Sequence, residues 1–209
     1  RRQRQMCIRD SMMTAAFPER DVTFRNLGWS ADTPSGTSRF GLSLLPAGRE
    51  PADEGWKQLL KQLEFTRPTV IVFGYGMASS LEGGIEGVAA FTQDYQRLID
   101  ATQRIHPGLR CVFLSPLGRL PESHQKTQAY ASSLVAYTKA VRHLADSNNG
   151  VFVDLSHVAI NDGLRKDPIH LNDVGYREAA IEIGKTLGFD DRWIHNPHTE
   201  AVSYTHLRA

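Results

Sequence analysis

The chain has 209 residues, 41% of them apolar and 22% charged, with a formal net charge of +1. That length is enough for one domain with a full core, and no apolar run approaches a membrane span. Cys7 and Cys111 are far apart and form neither a metal nor a redox motif, so no disulfide framework is expected.

The two ends read as foreign. Residues 1–11 (RRQRQMCIRDS) and 201–209 (AVSYTHLRA) both resemble translated sequencing adapters of the kind found at the ends of reading frames from fragmented metagenomic assemblies. The competing reading of residues 1–4 is a basic targeting or nucleic-acid arm. The simultaneous match at both ends favours the adapter. Without the ends the chain loses five basic residues and one acidic one, and its net charge falls from +1 to −3. Nothing basic then remains to suggest a nucleic acid or a membrane surface as partner. With the true N-terminus missing, the lack of an opening leader pattern leaves the localisation open.

Strand-like and helix-like segments alternate along the rest. Residues 22–27 (VTFRNL) read as a strand, followed by a long Gly-, Pro- and Ser-rich loop from Ser30 to about Ala52. Trp56, Leu59, Leu60 and Leu63 mark one face of a helix that Pro68 closes. Residues 69–73 (TVIVF) form a continuous apolar run, the pattern of a strand covered on both faces, and a glycine-rich loop carries Gly74, Gly76, Gly83 and Gly84. A helical stripe runs from Ile85 to Ile105, ended by Pro107 and Gly108, and 110–114 (RCVFL) is the next strand. Tyr130, Leu134, Tyr137, Val141 and Leu144 line another helix, which Asn148-Asn149-Gly150 should stop. Residues 151–155 (VFVDL) give the last strand, and Tyr176, Ala179, Ala180, Ile183 and Leu187 line the last helix. Strands separated by long helices imply a parallel sheet covered on both faces, with ligands outside the carboxyl ends of its strands.

The residues suited to chemistry sit on those strand-exit loops. Asp167-Pro168-Ile169-His170 places an acid and a histidine three apart, directly before the last helix. A carboxylate at that spacing can hold an imidazole in one tautomer, leaving its other nitrogen to take a proton from a hydroxyl nucleophile. A short motif of this kind is more often a plain polar loop, with Asn172 or Asp173 as helix cap, but its position after the last strand favours a site. His157 is the second candidate base, with no well-spaced acid in sequence. Asn26-Leu27-Gly28-Trp29-Ser30-Ala31-Asp32-Thr33 turns out of the first strand, where the Ala31 amide could face an oxyanion. Gly74-Tyr75-Gly76-Met77-Ala78 leaves the second strand, and its glycines permit close approach of backbone amides. A dinucleotide-binding reading fails there, because the third glycine of the fingerprint falls at Ser79. His195, His198 and Glu200 make a HxxHxE tail with no further ligand pattern, so a polar tail is the simpler reading. Tyr95, Tyr130 and Tyr137 read as packing residues, and Cys111 as an inert core thiol.

These blocks, in this order, resemble the SGNH hydrolases, the GDSL esterase/lipase family. DPIHLNDVGY looks like the family's fifth block, with Asp167 and His170 on its triad acid and base. NLGWSADT looks like the second block, with Ala31 on the oxyanion glycine. GYGMASS looks like the third, with Gly76-Met77-Ala78 on Gly-x-Asn, and the whole run looks most like a planctomycete-type branch. The resemblance implies a three-layer α/β/α, flavodoxin-like parallel sheet of order 2-1-3-4-5 over residues 12–190, with 191–200 as a tail. It implies a serine hydrolase acting on carboxylic esters through an acyl-enzyme, with no cofactor and no metal. The substrate would be a small-molecule or carbohydrate ester.

The departures from the pattern shape further expectations. Ala31 in place of glycine should cost little if only its N–H is used. Ala78 removes a side-chain oxyanion donor worth about 10²–10³ in rate. The Gly-Asp-Ser block with the nucleophile is absent: Ser11 falls in the adapter-like end and Ser30 on a non-catalytic position. The missing first strand is the central one, so this chain alone should fold poorly and be inactive. A catalytically degenerate glycan- or partner-binding domain is the rival reading. A generic flavodoxin-like binding domain would explain the layers but not the DPIH block.

Overall fold

The computed structural model describes residues 13–14, 17–29, 31–36, 51–118, 126–158, 162–167 and 170–189, with the backbone alone at 51–53, 126–130 and 162. The chain divides into two compact units. One spans Leu27–Leu117 and Pro121–Ser156; the other gathers Arg1–Asn26, Gly118–Leu120 and His157–Ala209.

The first unit carries a parallel sheet flanked by helices, the expected α/β, flavodoxin-like arrangement. Strands β1 (Val70–Phe73), β2 (Arg110–Leu114) and β3 (Val151–Val153) lie in the order β1-β2-β3. Both pairings are parallel, with Ile71 opposite Cys111 and Phe113 opposite Phe152. That order follows strands three to five of the expected 2-1-3-4-5. Among the described residues β1 stands at the edge. Residues 22–27 are not a strand: they form no ladder, and Val22 is exposed. Alternating apolar residues stabilise a strand only through a neighbour that takes up its backbone groups, and the described residues offer none beside this segment.

Helix α1 (Pro51–Thr66) buries Leu59 and Leu63, one turn apart, with Trp56 and Leu60 packed beside them. It stops where Pro68 has no N–H to continue the ladder. Arg67 turns left-handed (φ 43) and still donates to the Leu63 carbonyl at 3.2 Å. The glycine-rich loop after β1 is not all loop: Met77–Gly83 forms a short helix, α2, running from Gly76 to Gly84. Met-Ala-Ser-Ser-Leu-Glu contains no breaker, so the flanking glycines mark the ends of a helix. Helix α3 (Val88–Ile105) starts three residues later than its apolar stripe, leaving Ile85 exposed. Helix α4 (Lys126–Ser147) packs on β2 and β3 and ends at Asn149, which takes the left-handed conformation (φ 52).

The core of this unit is aromatic. Tyr95 and Tyr137 are fully buried, as expected of packing residues, and Tyr130 lies outside the described side chains. The rings of Phe73, Phe91, Tyr95, Phe113 and Tyr137 pack with centroids 4.8 to 5.8 Å apart. Tyr137 reaches out of that core to donate to the Ser79 carbonyl at 3.0 Å, tying α4 to α2. Cys111 is a buried free thiol, and burial pushes it up from its ordinary range, in keeping with an inert core residue.

Strand β3 ends two residues earlier than its apolar run. The Asp154 carboxylate accepts from the Ser156 amide at 3.0 Å and from its hydroxyl at 2.6 Å, folding the chain into a turn. The buried Ser115 hydroxyl takes the Leu155 amide at 2.8 Å, so the exits of β2 and β3 are pinned side by side.

The second unit contains a 3₁₀ turn (Asp162–Leu164) and helix α5 (Asp173–Thr186). Val158, Leu171, Ala179, Ala180 and Ile183 are its buried apolar residues, and Phe17 meets Phe189 edge-on at 5.0 Å.

Candidate active site

The loop holding Asp167 and His170 is closed by its own backbone. Arg165 and Leu171 form an antiparallel bridge, the Lys166 amide donates to the His170 carbonyl at 2.9 Å, and the Asn172 amide donates to Leu164 at 2.9 Å. Asn172 is the cap of α5, the first of the two cap candidates. Its side-chain oxygen accepts from the Gly175 amide at 2.9 Å, while its Nδ2 donates to Gly163 at 2.8 Å and to Arg165 at 3.3 Å. One side chain therefore satisfies a helix end and two loop carbonyls. Gly175 completes the closure, since a Cβ there would overlap the Leu164 carbonyl.

Within this loop the acid and the imidazole meet. The Asp167 carboxylate accepts the backbone N–H of His170 at 2.7 Å, and His170 Nδ1 lies 2.9 Å from Oδ2 and 3.0 Å from Oδ1. An acceptor-only carboxylate requires Nδ1 to carry the proton, which leaves Nε2 bare. His170 is 62% exposed, so that nitrogen is open to a reacting group. Such an imidazole can take a proton from a hydroxyl, and the adjacent carboxylate stabilises the cation that results. On the first turn of α5, burial and secondarily the Asp167 charge push the Tyr176 phenol up from its ordinary value, so it stays neutral beside the pair.

The other residues expected at a site lie in the sheet unit. Gly76 precedes α2 at φ 124, and a Cβ there would stand 2.6 Å from Pro116 Cγ, so both the torsion and the space call for glycine. Ala78 is in the first turn of α2, where amides lack helical partners. Ala31 is exposed at φ 55. Alanine there is therefore not as cheap as expected, because an L-residue pays about 1–2 kcal/mol in that conformation. The loop beyond Ala31 is firm: Pro34 is fully buried, and the Gly36 amide donates to Thr33 at 2.9 Å.

One partnership was invisible in the sequence. His157 has an acid after all, Glu182 of α5, with Nε2 3.7 Å from Oε2. Separated by most of a loop and two helical turns, the two residues carry no shared motif. The HxxHxE tail lies outside the described residues, and among those described no cluster of His, Cys, Asp and Glu could hold a metal ion.

A parallel α/β fold together with a carboxylate-held imidazole on a strand-exit loop is the framework of an SGNH-type hydrolase. The profile of the GDSL-like Lipase/Acylhydrolase family matches residues 10–178, and the chain belongs to that family. No curated protein matches the chain. Among solved structures, a chain from Parabacteroides merdae described as a GDSL-like lipase superposes with a TM-score of 0.65 at 18% identity, covering 88% of this chain and 81% of that one. Axe2, an acetylxylan esterase from Geobacillus stearothermophilus, gives 0.65 at 15% identity, covering 92% and 83%. The acetyl xylan esterase AlAXEase gives 0.52 at 16% identity, covering 85% and 95%. At these identities the likeness is one of fold.

Proposed function

We propose that the protein hydrolyses carboxylic esters through an acyl-enzyme, and that acetylated carbohydrate is its substrate class. The observation that carries this reading is the Asp167–His170 pair, with Nδ1 held at 2.9 Å and Nε2 left bare. His170 takes the proton of a serine hydroxyl as that oxygen attacks the ester carbonyl, then gives it to the leaving alcohol. Water repeats the sequence to release the acid. Asp167 holds the imidazole tautomer and stabilises the transient imidazolium. The amides of Ala31 and Gly76 are assigned to the developing oxyanion on the resemblance of their segments to the family's second and third blocks. The serine belongs to a Gly-Asp-Ser block that residues 12–190 do not contain, and no organic cofactor or metal takes part. The carbohydrate is inferred from the fold shared with proteins named as acetylxylan esterases.

A phosphonate probe that captures activated serines tests this reading on the native protein. One labelled serine is expected, and His170→Ala should abolish the labelling. Absence of label in the unsubstituted protein contradicts the proposal. One feature favours a second reading, a binding domain without turnover: Ala78 stands where the family's oxyanion asparagine aligns. Ala78→Asn should raise the rate by about 10²-fold if the position lacks only that donor. A protein silent toward esters with either residue belongs to the second reading.

A further inference from the structure

We propose that Arg165 is a positioning residue for the Asp167–His170 pair, an inference that rests on the role given to that pair above. Arg165 is only 8% exposed, although it lies in a loop whose neighbour Lys166 is exposed. Burying a guanidinium is costly unless its donors are used, so its burial marks a structural task. The side chain performs one: Nη2 donates to the carbonyl of Gly118, in the same compact unit. The backbone of Arg165 performs two more. It forms the antiparallel bridge with Leu171, and its carbonyl receives Nδ2 of Asn172, the cap of α5.

Arg165 and Leu171 are thus the two posts of the loop, and Asp167 and His170 lie between them. The Lys166 amide, next in the chain, holds the His170 carbonyl at 2.9 Å. The bridge that closes the loop, and the Lys166 amide bond beside it, thus start from a post whose side chain is fastened to Gly118. Releasing that side chain frees the loop to shift relative to its base. A shift of about 1 Å at a reacting group costs about 100-fold in rate. Lysine is a partial substitute, since it keeps a charged donor but not the guanidinium geometry that carries Nη2 to Gly118.

The ring nitrogens of His170 report this directly, through their ¹⁵N shifts in the full chain at a pH where the imidazole is neutral. The unsubstituted protein should show the tautomer with the proton on Nδ1, and Asp167→Asn should give the pattern of an unheld ring. Arg165→Met should move the shifts most of the way to the Asp167→Asn pattern, and Arg165→Lys part of the way, with the core resonances unchanged. In the native enzyme, Arg165→Met should lower kcat about 100-fold with KM unchanged. A wild-type tautomer pattern in both variants overturns the proposal. So does an unfolded Arg165→Met alongside an Arg165→Lys that keeps the wild-type pattern, since Arg165 would then serve stability alone. The tautomer is read without any turnover. A failed esterase reading and a failed role for Arg165 are therefore told apart.

Discussion

The carbonyl oxygen of Leu164 occupies the volume that a Cβ on Gly175 would need. That approach brings the first turn of α5 against the 3₁₀ turn before the acid–base loop, and lets the Asn172 side chain reach the Gly175 amide at 2.9 Å. Gly175→Ala must push the turn and the helix apart. The expected cost is about 1–3 kcal/mol, the usual range for overpacking. Because the loop carries Asp167 and His170, hydrolysis should fall at least tenfold, more than the loss of folded protein explains. Thermal melts paired with rate measurements on the folded fraction check this; a variant with unchanged melting and rate contradicts the geometry.

Ala31 predicts the opposite sign. At φ 55 it pays for a conformation that glycine adopts freely. Ala31→Gly should stabilise the protein by about 1 kcal/mol, raising the melting temperature by about 2–4 °C. The gain should appear without a new contact, because it comes from relief of backbone strain. A lower melting temperature would show that Ala31 is held by packing instead.

Tyr95 is fully buried, and its hydroxyl makes no well-formed hydrogen bond among the described residues, only a weak approach to the Tyr75 backbone. Burial, and after it the neighbouring Tyr75 and Cys111, raise this phenol well above 10.0. The folded state keeps the proton, while the unfolded chain gives it up near the ordinary value. The stability contributed by the neutral phenol is therefore complete below pH 10 and lost as the pH climbs beyond it. Tyr137 and Tyr176 are raised too and act in the same direction, and Cys111 joins them from about 9.0. Tyr95→Phe should leave neutral-pH stability equal or up to about 1 kcal/mol higher, since it removes a buried hydroxyl that is poorly satisfied among the described residues. It should also flatten the alkaline fall. Denaturant melts at pH 7 and above pH 10 separate the two effects. A steeper alkaline loss in the variant is the outcome that excludes this account.

Much of this was legible in the sequence. The runs TVIVF and RCVFL read as strands covered on both faces, and each is a strand within a residue of its expected limits, but in the first only Phe73 is buried while Val70 is exposed. The acid–histidine spacing was readable because a three-residue separation is closed locally, by one carboxylate bonding both the ring and the backbone of His170. What escaped was set by distant partners or by torsion. The 22–27 segment has a strand's alternation but no neighbour to pair with among the described residues. Strand β3 is cut short by the Asp154 side chain, a polar capture inside an apolar run. Glu182 reaches His157 across the fold, and the left-handed turn at Ala31 carries no mark in a residue that rarely adopts it.

The central claim is that His170, oriented by Asp167, is the base of an ester hydrolase. Its most direct test is the rate of hydrolysis of a short-chain aryl acetate by the native protein and by its His170→Ala variant. A measurable rate that falls by about 10³-fold or more, with folding intact, is the predicted result. A variant that hydrolyses the ester as fast as the unsubstituted protein would remove His170 from the mechanism and contradict the account.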